Sequence, residues 1–199
     1  MKRAAAQDDR ARVTAEGAAG KAPMRDRILQ TADRLFYNDG IRAVGVDTIA
    51  AAAGISKRTL YNHFPSKDEL IVAYLRGRLP RGPGAGEDPL QHILGTFERL
   101  GKAFRRPDFR GCPFVNAVAE LAVPEHAAAA IARAFKESRR DDFAQALRRL
   151  GIAEPSALAD QLAMLVDGAI AAMTVRRDAA AAATAAAAAR VLIAQARAA

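Results

Sequence analysis

Three observations predict an all-α protein. Alanine makes up about a quarter of the 199 residues, and it is the strongest intrinsic helix former. Aromatic residues are 6% and Trp is absent, so the bulk that strands favour is scarce. Apolar residues recur at the 3.6-residue helical period, and no alternating stretch supports a strand. The punctuation divides the chain into an N-terminal arm (1–23), an N-terminal domain (24–80) built on a three-helix helix-turn-helix unit, and a C-terminal helical bundle (89–199).

In the arm, residues 1–23 show no apolar period and lack a signal-peptide core. Its Arg and Ala content resembles a transit peptide, but Asp8, Asp9 and Glu16 oppose that, and a disordered arm is expected. From Met24, Ile28, Leu29, Ala32, Leu35 and Phe36 share one helical face, and Asn38-Asp39-Gly40 ends it. A short helix is expected over Val46–Ala53, with Asp47 in its first turn at the positive end of the dipole, and Gly54-Ile55 breaks it. Ser56 caps a third helix that Pro65 closes. Ser66-x-x-Glu69 is a capping box for a fourth, carrying Leu70, Ile71, Tyr74 and Leu75. Residues 80–89, with three Gly and three Pro, read as a linker. Beyond it, helices are expected over 89–106, 113–122, 124–150, 156–177 and 179–198. Pro89 and Pro124 would stand in first turns, Gly151 would follow a helix and Ser156 would cap the next.

Composition excludes several classes of function. Cys112 alone forbids a disulfide scaffold or a multi-cysteine zinc site, and it fits a reducing cytoplasm. His63, His92 and His126 are too scattered for a structural metal, so no metal or other cofactor is expected. No 18-residue apolar run other than alanine exists, so no membrane partner is expected. The formal net charge is +8, which favours an anionic partner. It is spread thinly, at +2, +3 and +3 over residues 1–23, 24–80 and 81–199. A sequence-indifferent architectural DNA binder would need a more concentrated basic surface. Recognition of DNA must therefore come from a placed motif.

Residues 46–64 read VDTIAAAAGISKRTLYNHF. Small residues such as Ala50 and Ala53 let two short helices cross closely, and Gly54 supplies the turn. Ile49 and Ile55 face Leu60 and Phe64, four apart on the inner side of the second helix. Lys57, Arg58, Thr59, Tyr61, Asn62 and His63 are left outward: cations for phosphates, an amide and an imidazole for base edges, a phenol for phosphate or a thymine methyl. Lys67 lies beside the next helix N-terminus, which also favours anions. Spacing alone fits equally a helical hairpin whose polar face serves only solubility.

The run from Asp26 to Leu75 resembles the DNA-binding domain of TetR-type transcriptional repressors. The resemblance rests on RILQTADRLFYNDGIRAV and on the pattern IA-x-x-AG-x-S-x-x-TLY-x-HF-x-SK-x-x-L. It covers about 50 of 199 residues; the rest agrees in length and helical character. It implies a homodimer that places paired recognition helices in successive major grooves of a palindromic operator, with a small-molecule effector bound in each C-terminal domain. It also implies that Lys57, Thr59, Tyr61, His63 and Lys67 fall on positions that commonly contact DNA. Gly45 departs from the pattern, since many members place there a Thr that caps the helix and touches a phosphate.

In the second half, Leu158, Leu162, Leu165, Val166, Ala169, Ile170 and Met173 form an apolar stripe, followed by an alanine tract from 179 to 189. Packing into a four-helix dimer interface is expected, with Leu162, Val166, Ile170, Met173 and Val191 contributing; an exposed helix of high propensity is the alternative. Six Phe between 97 and 143 form a core or line a pocket. The expected effector residues are Phe97, Cys112, Phe114, Asn116 and Glu120. Gly111, Cys112, Asn116 and Glu120 also resemble a Gly-Cys-x-x-x-Asn-x-x-x-Glu pattern of some TetR-type repressors, a few of which sense electrophiles or oxidants through that cysteine. Cys112 at a helix start can be a thiol-based redox sensor or a small buried space-filler. Cys112 with His92 or His126 matches no catalytic signature, and no phosphate loop or paired carboxylates occur, so no enzymatic activity is expected. The expected product is a cytoplasmic, nucleoid-associated, ligand-responsive repressor.

Overall fold

The computed structural model describes residues 23–80 and 88–198, all helices and connections. Residues 1–22, which hold nearly all of the expected arm, and 81–87 of the expected linker lie outside the described residues. The chain divides into two compact units between Gly77 and Arg78.

The first unit holds α1 (23–39), α2 (Val46–Ala52), α3 (Lys57–His63) and α4 (Lys67–Gly77). The apolar face of α1 is buried at Ile28, Ala32, Leu35 and Phe36. Phe36 meets Tyr74 of α4 edge to face, with ring centroids 5.6 Å apart. The turn between α2 and α3 closes as a Schellman motif. Gly54 N–H donates to the Ala51 carbonyl and Ile55 N–H to that of Ala50, both at 3.0 Å. Gly54 has φ +63°, which a residue with a Cβ adopts only with strain. Ser66 Oγ accepts the N–H of Glu69 at 3.0 Å, which supplies the first half of the capping box expected there.

The second unit holds α5 (Pro89–Phe104), α6 (Pro113–Leu121), α7 (Ala127–Arg149), α8 (Pro155–Arg176) and α9 (Ala181–Ala198). Helices α7 and α9 pack on α8, α5 packs on α9 and α7, and α6 packs on α7. A Cβ on Gly101 would meet that of Ala182 at 3.7 Å, so α5 and α9 approach closely through small residues. Two expected starts are corrected. Helix α7 begins at Ala127, after His126 accepts the Ala128 N–H on Nδ1 at 3.0 Å, and Pro124 stands in the preceding turn. Helix α8 begins at Pro155, not after a Ser156 cap, because a residue without an N–H fits the first helical position.

By length and mean hydropathy (1.4), α8 could cross a membrane. Its stripe of Leu158, Leu162, Val166 and Met173 is instead buried in the second unit's core with Phe97, Phe104, Phe109 and Phe143. All six clustered Phe are buried, four of them in this core.

Candidate nucleic-acid interface

Helix α3 has only seven residues, too few to be stable alone, so its ends and one side are fixed from outside. Ser56 Oγ accepts the N–H of Thr59 at 3.0 Å and lies 2.9 Å from the Thr59 hydroxyl. Leu60 is fully buried and Phe64 nearly so. The Arg25 guanidinium lies 4.6 Å above the Phe64 ring, a cation–π contact tying the end of α3 to α1. These anchors leave Lys57, Arg58, Tyr61 and Asn62 exposed on one side, with Thr59 and His63 half-buried beside them. Lys67 is half-buried in the first turn of α4.

Two features qualify this face. The Lys57 ammonium lies 3.0 Å from the Asp47 carboxylate of α2. Their hydrogen bond, and secondarily their charge attraction, raises the Lys57 pKa above its ordinary value of 10.5. The first cation of the helix is thus already held by an acid from α2. Gly45 is the N-cap of α2 and makes no side-chain cap, and a Cβ there would meet nothing within 4 Å.

The expected effector residues are not gathered in one cavity. Phe97 is buried in the core around α5. Phe114 stacks on Phe135 with centroids 4.0 Å apart, and Arg139 lies 4.6 Å over the other ring of that pair, Phe135. Burial lowers the Arg139 pKa below its ordinary value, against the opposing pull of Asp167. Cys112 is buried at the N-cap of α6. Asn116 Nδ2 donates to the Arg110 carbonyl at 2.8 Å, bracing the loop before α6, and Glu120 is half-buried. In that loop Gly111 has φ +88°, and its Cβ would lie 3.0 Å from the Thr174 hydroxyl, so the position is both strained and crowded for any other residue.

The expected dimer residues need correction. Leu162, Val166 and Met173 are buried in the protomer's own core, and Ile170 packs partly against it. The alanine tract likewise turns Ala181, Ala182, Ala185 and Ala189 inward. The helical stripe is real but faces α5, α7 and α9 of the same chain. Val191 does stand out, at 65% exposure, with Met164 at 72% and Val175 at 81%. Met164 borders a groove of about 570 Å³ between α8 and α9, with Leu165, Gly168 and Ala172 among its walls. Met164 and Val175 lie off the stripe, and their signal was large apolar residues on the face opposite the core.

The family model described as bacterial regulatory proteins of the TetR family matches residues 28–74. The model described as the C-terminal domain of LmrA/YxaF-like transcriptional regulators matches 89–188, half of the chain. The chain belongs to the TetR family. Its fold matches SCO4454, a TetR-family transcriptional regulator of Streptomyces coelicolor, with a TM-score of 0.80 and 32% identity. That match covers 88% of this chain and 97% of the other. The transcriptional repressor KstR2 of Rhodococcus jostii is 43% identical over 65 residues, 33% of this chain and 32% of KstR2. The chain therefore spans about a third of that relative's length. The regulator YxaF of Bacillus subtilis is 26% identical over 155 residues, 73% of this chain and 80% of YxaF. This TetR-family chain is a DNA-binding regulator of transcription, and α2–α3 is its helix-turn-helix.

Proposed function

We propose that this TetR-family chain is a homodimeric repressor that binds a palindromic operator and is released by a small molecule. The observation that carries the reading is the outward side of α3, where Lys57, Arg58, Tyr61 and Asn62 are exposed while Leu60 and Phe64 lock the helix from beneath. Arg58 and Lys57 suit phosphates or guanine edges, Asn62 suits adenine, and Tyr61 suits a phosphate or a thymine methyl. Thr59, His63 and Lys67 complete the surface at its margins. Repression is the role of KstR2, a relative that this chain matches over 65 residues.

Dimerisation would bury Met164, Val175 and Val191, large apolar side chains that a lone subunit leaves in water. A two-fold pair presents two recognition helices about 34–36 Å apart, or a multiple of that, matching turns of B-DNA. A ligand releases the operator only to the extent that it binds the non-binding conformer more tightly. The site of action is cytoplasmic, at the nucleoid, and no catalysis is assigned. Burial of Cys112 supports the space-filling reading of that thiol over the redox one.

Fluorescence anisotropy on the DNA flanking the chain's own gene, with excess competitor DNA and a salt series, tests the reading. Saturable binding of two subunits per site that survives competitor is expected. Binding that competitor removes would leave only phosphate attraction and overturn the operator assignment for that DNA.

A further inference from the structure

A second groove, of about 590 Å³, runs between α6 and α7. From α6 come Phe114, Val115, Val118 and Ala119, and from α7 come Arg133 and Lys136. Its size lies in the range of small-molecule sites, about 300–1,000 Å³. Phe114 in its wall stacks on Phe135 of α7, joining the two helices. Val115, Val118 and Val123 are all exposed at the groove, leaving apolar surface that an occupant would cover. No acidic side chain is among its walls, and its two ionisable ones are cations. These cations are not equivalent. Lys136 is ion-paired with Asp167 of α8, whereas Arg133 is exposed and carries no ion pair among the described residues.

We propose that the α6–α7 groove binds a carboxylic acid with an apolar body, its tail along Val115, Val118 and Ala119 and its carboxylate on the Arg133 guanidinium. An apolar trough with one uncommitted guanidinium matches the usual division of labour in ligand sites, where apolar walls give affinity and a few polar groups fix orientation. The planar fork of Arg suits a carboxylate. The proposal names the effector class for the release step above and rests on that reading only for its consequence at DNA.

The test uses the full chain, free of DNA, and isothermal titration calorimetry with sodium decanoate below its micellar range. Decyltrimethylammonium serves as the tail-matched control of opposite charge. Decanoate should bind saturably at one site per subunit, and the cationic control should not. Arg133→Gln should weaken decanoate about tenfold, the scale of one charge-assisted hydrogen bond, and Arg133→Lys should restore part of it. Ala119→Phe, which fills the trough from an exposed position, should abolish binding. Circular dichroism should find all three variants folded.

The proposal is overturned if decanoate does not saturate, if the two amphiphiles bind alike, or if Arg133→Gln and Ala119→Phe leave decanoate binding unchanged. It is also overturned if sedimentation shows these variants separating subunits, since a second copy would then cover the groove. Decanoate that binds as expected yet leaves the operator complex intact would refute the coupling to release while upholding the site. Loss of operator binding by the ligand-free protein would refute the DNA reading alone.

Discussion

The two units of this TetR-family regulator solve the same packing problem at different scales. In the first, α2 and α3 are seven residues each, and their placement depends on single residues: Gly54 in the turn, Ser56 at the cap, Leu60 beneath. In the second, α7 and α8 run 23 and 22 residues, and many interchangeable apolar positions share the work. Where an element is short, each residue has one assignable job, and the leftover polar side chains mark the face proposed to meet DNA. Where elements are long and rich in alanine, a face acquires its job only from the neighbour it meets.

The largest effects should follow from breaking each unit at its anchor. Phe97→Ala in the second unit should cost about 3–5 kcal/mol and Leu60→Ala in the first about 2–5 kcal/mol, read by chemical denaturation. Leu60→Ala should abolish operator binding while preserving the helical signal of α5–α9. A single transition shifted equally by both substitutions would mean that the units do not fold as separate bodies, and the contrast between them would fail.

The next pair of substitutions exchanges one function for the other. Met164→Glu places a carboxylate on the exposed face of α8. It should raise the dimer dissociation constant about a hundredfold, since burying an unpaired charge is costly, as analytical ultracentrifugation would detect. Tyr61→Ala should weaken operator binding about tenfold, on the scale of one good base or phosphate contact, with dimerisation and thermal midpoint unchanged. Loss of dimerisation in Tyr61→Ala, or intact dimers in Met164→Glu, would show that the surfaces are assigned to the wrong units.

The same contrast explains what could be read before the fold was in hand. The α3 face was legible because capping and period fix it locally: once Ser56 and Leu60 are placed, Arg58, Tyr61 and Asn62 can only point out. Local logic did not extend to Thr59, whose hydroxyl is occupied by Ser56, or to Lys57, whose partner Asp47 lies ten residues away. In α8 the period correctly found a buried stripe but could not say which chain buries it. Leu162 and Val166 would look alike against a partner or against the protomer's own α7 and α9. Phe97 and Phe114 likewise share a composition but not a site, because one lies among the helices around α5 and the other at the α6–α7 seam. Tertiary packing decided each of these cases, and no local signal carries it.

The smallest expected effect lies within the DNA-binding unit, at the ion pair that local reasoning missed. Asp47→Asn keeps the shape of the side chain, removes a negative charge from the surface beside α3 and releases Lys57. Exposed pairs of this kind contribute little to stability, and the loss of a carboxylate near the N-terminus of α2 offsets part of any gain, so the thermal midpoint should barely move. Because the carboxylate raises the Lys57 pKa above 10.5, the pair's contribution is complete below that value and vanishes as alkali passes the raised one. Titration across neutral pH should therefore leave its effect on binding constant. The salt dependence should change. With Lys57 free to neutralise a phosphate, the slope of log affinity against log salt should steepen by up to about 0.9, with a gain of a few-fold at low salt, measured by anisotropy across a salt series. An unchanged slope would mean that Lys57 faces away from the duplex, leaving recognition to Arg58, Tyr61 and Asn62 and rotating α3 about its axis relative to the groove. The sequence preference should hold in either case, because phosphate contacts set register and affinity while base contacts carry the specificity.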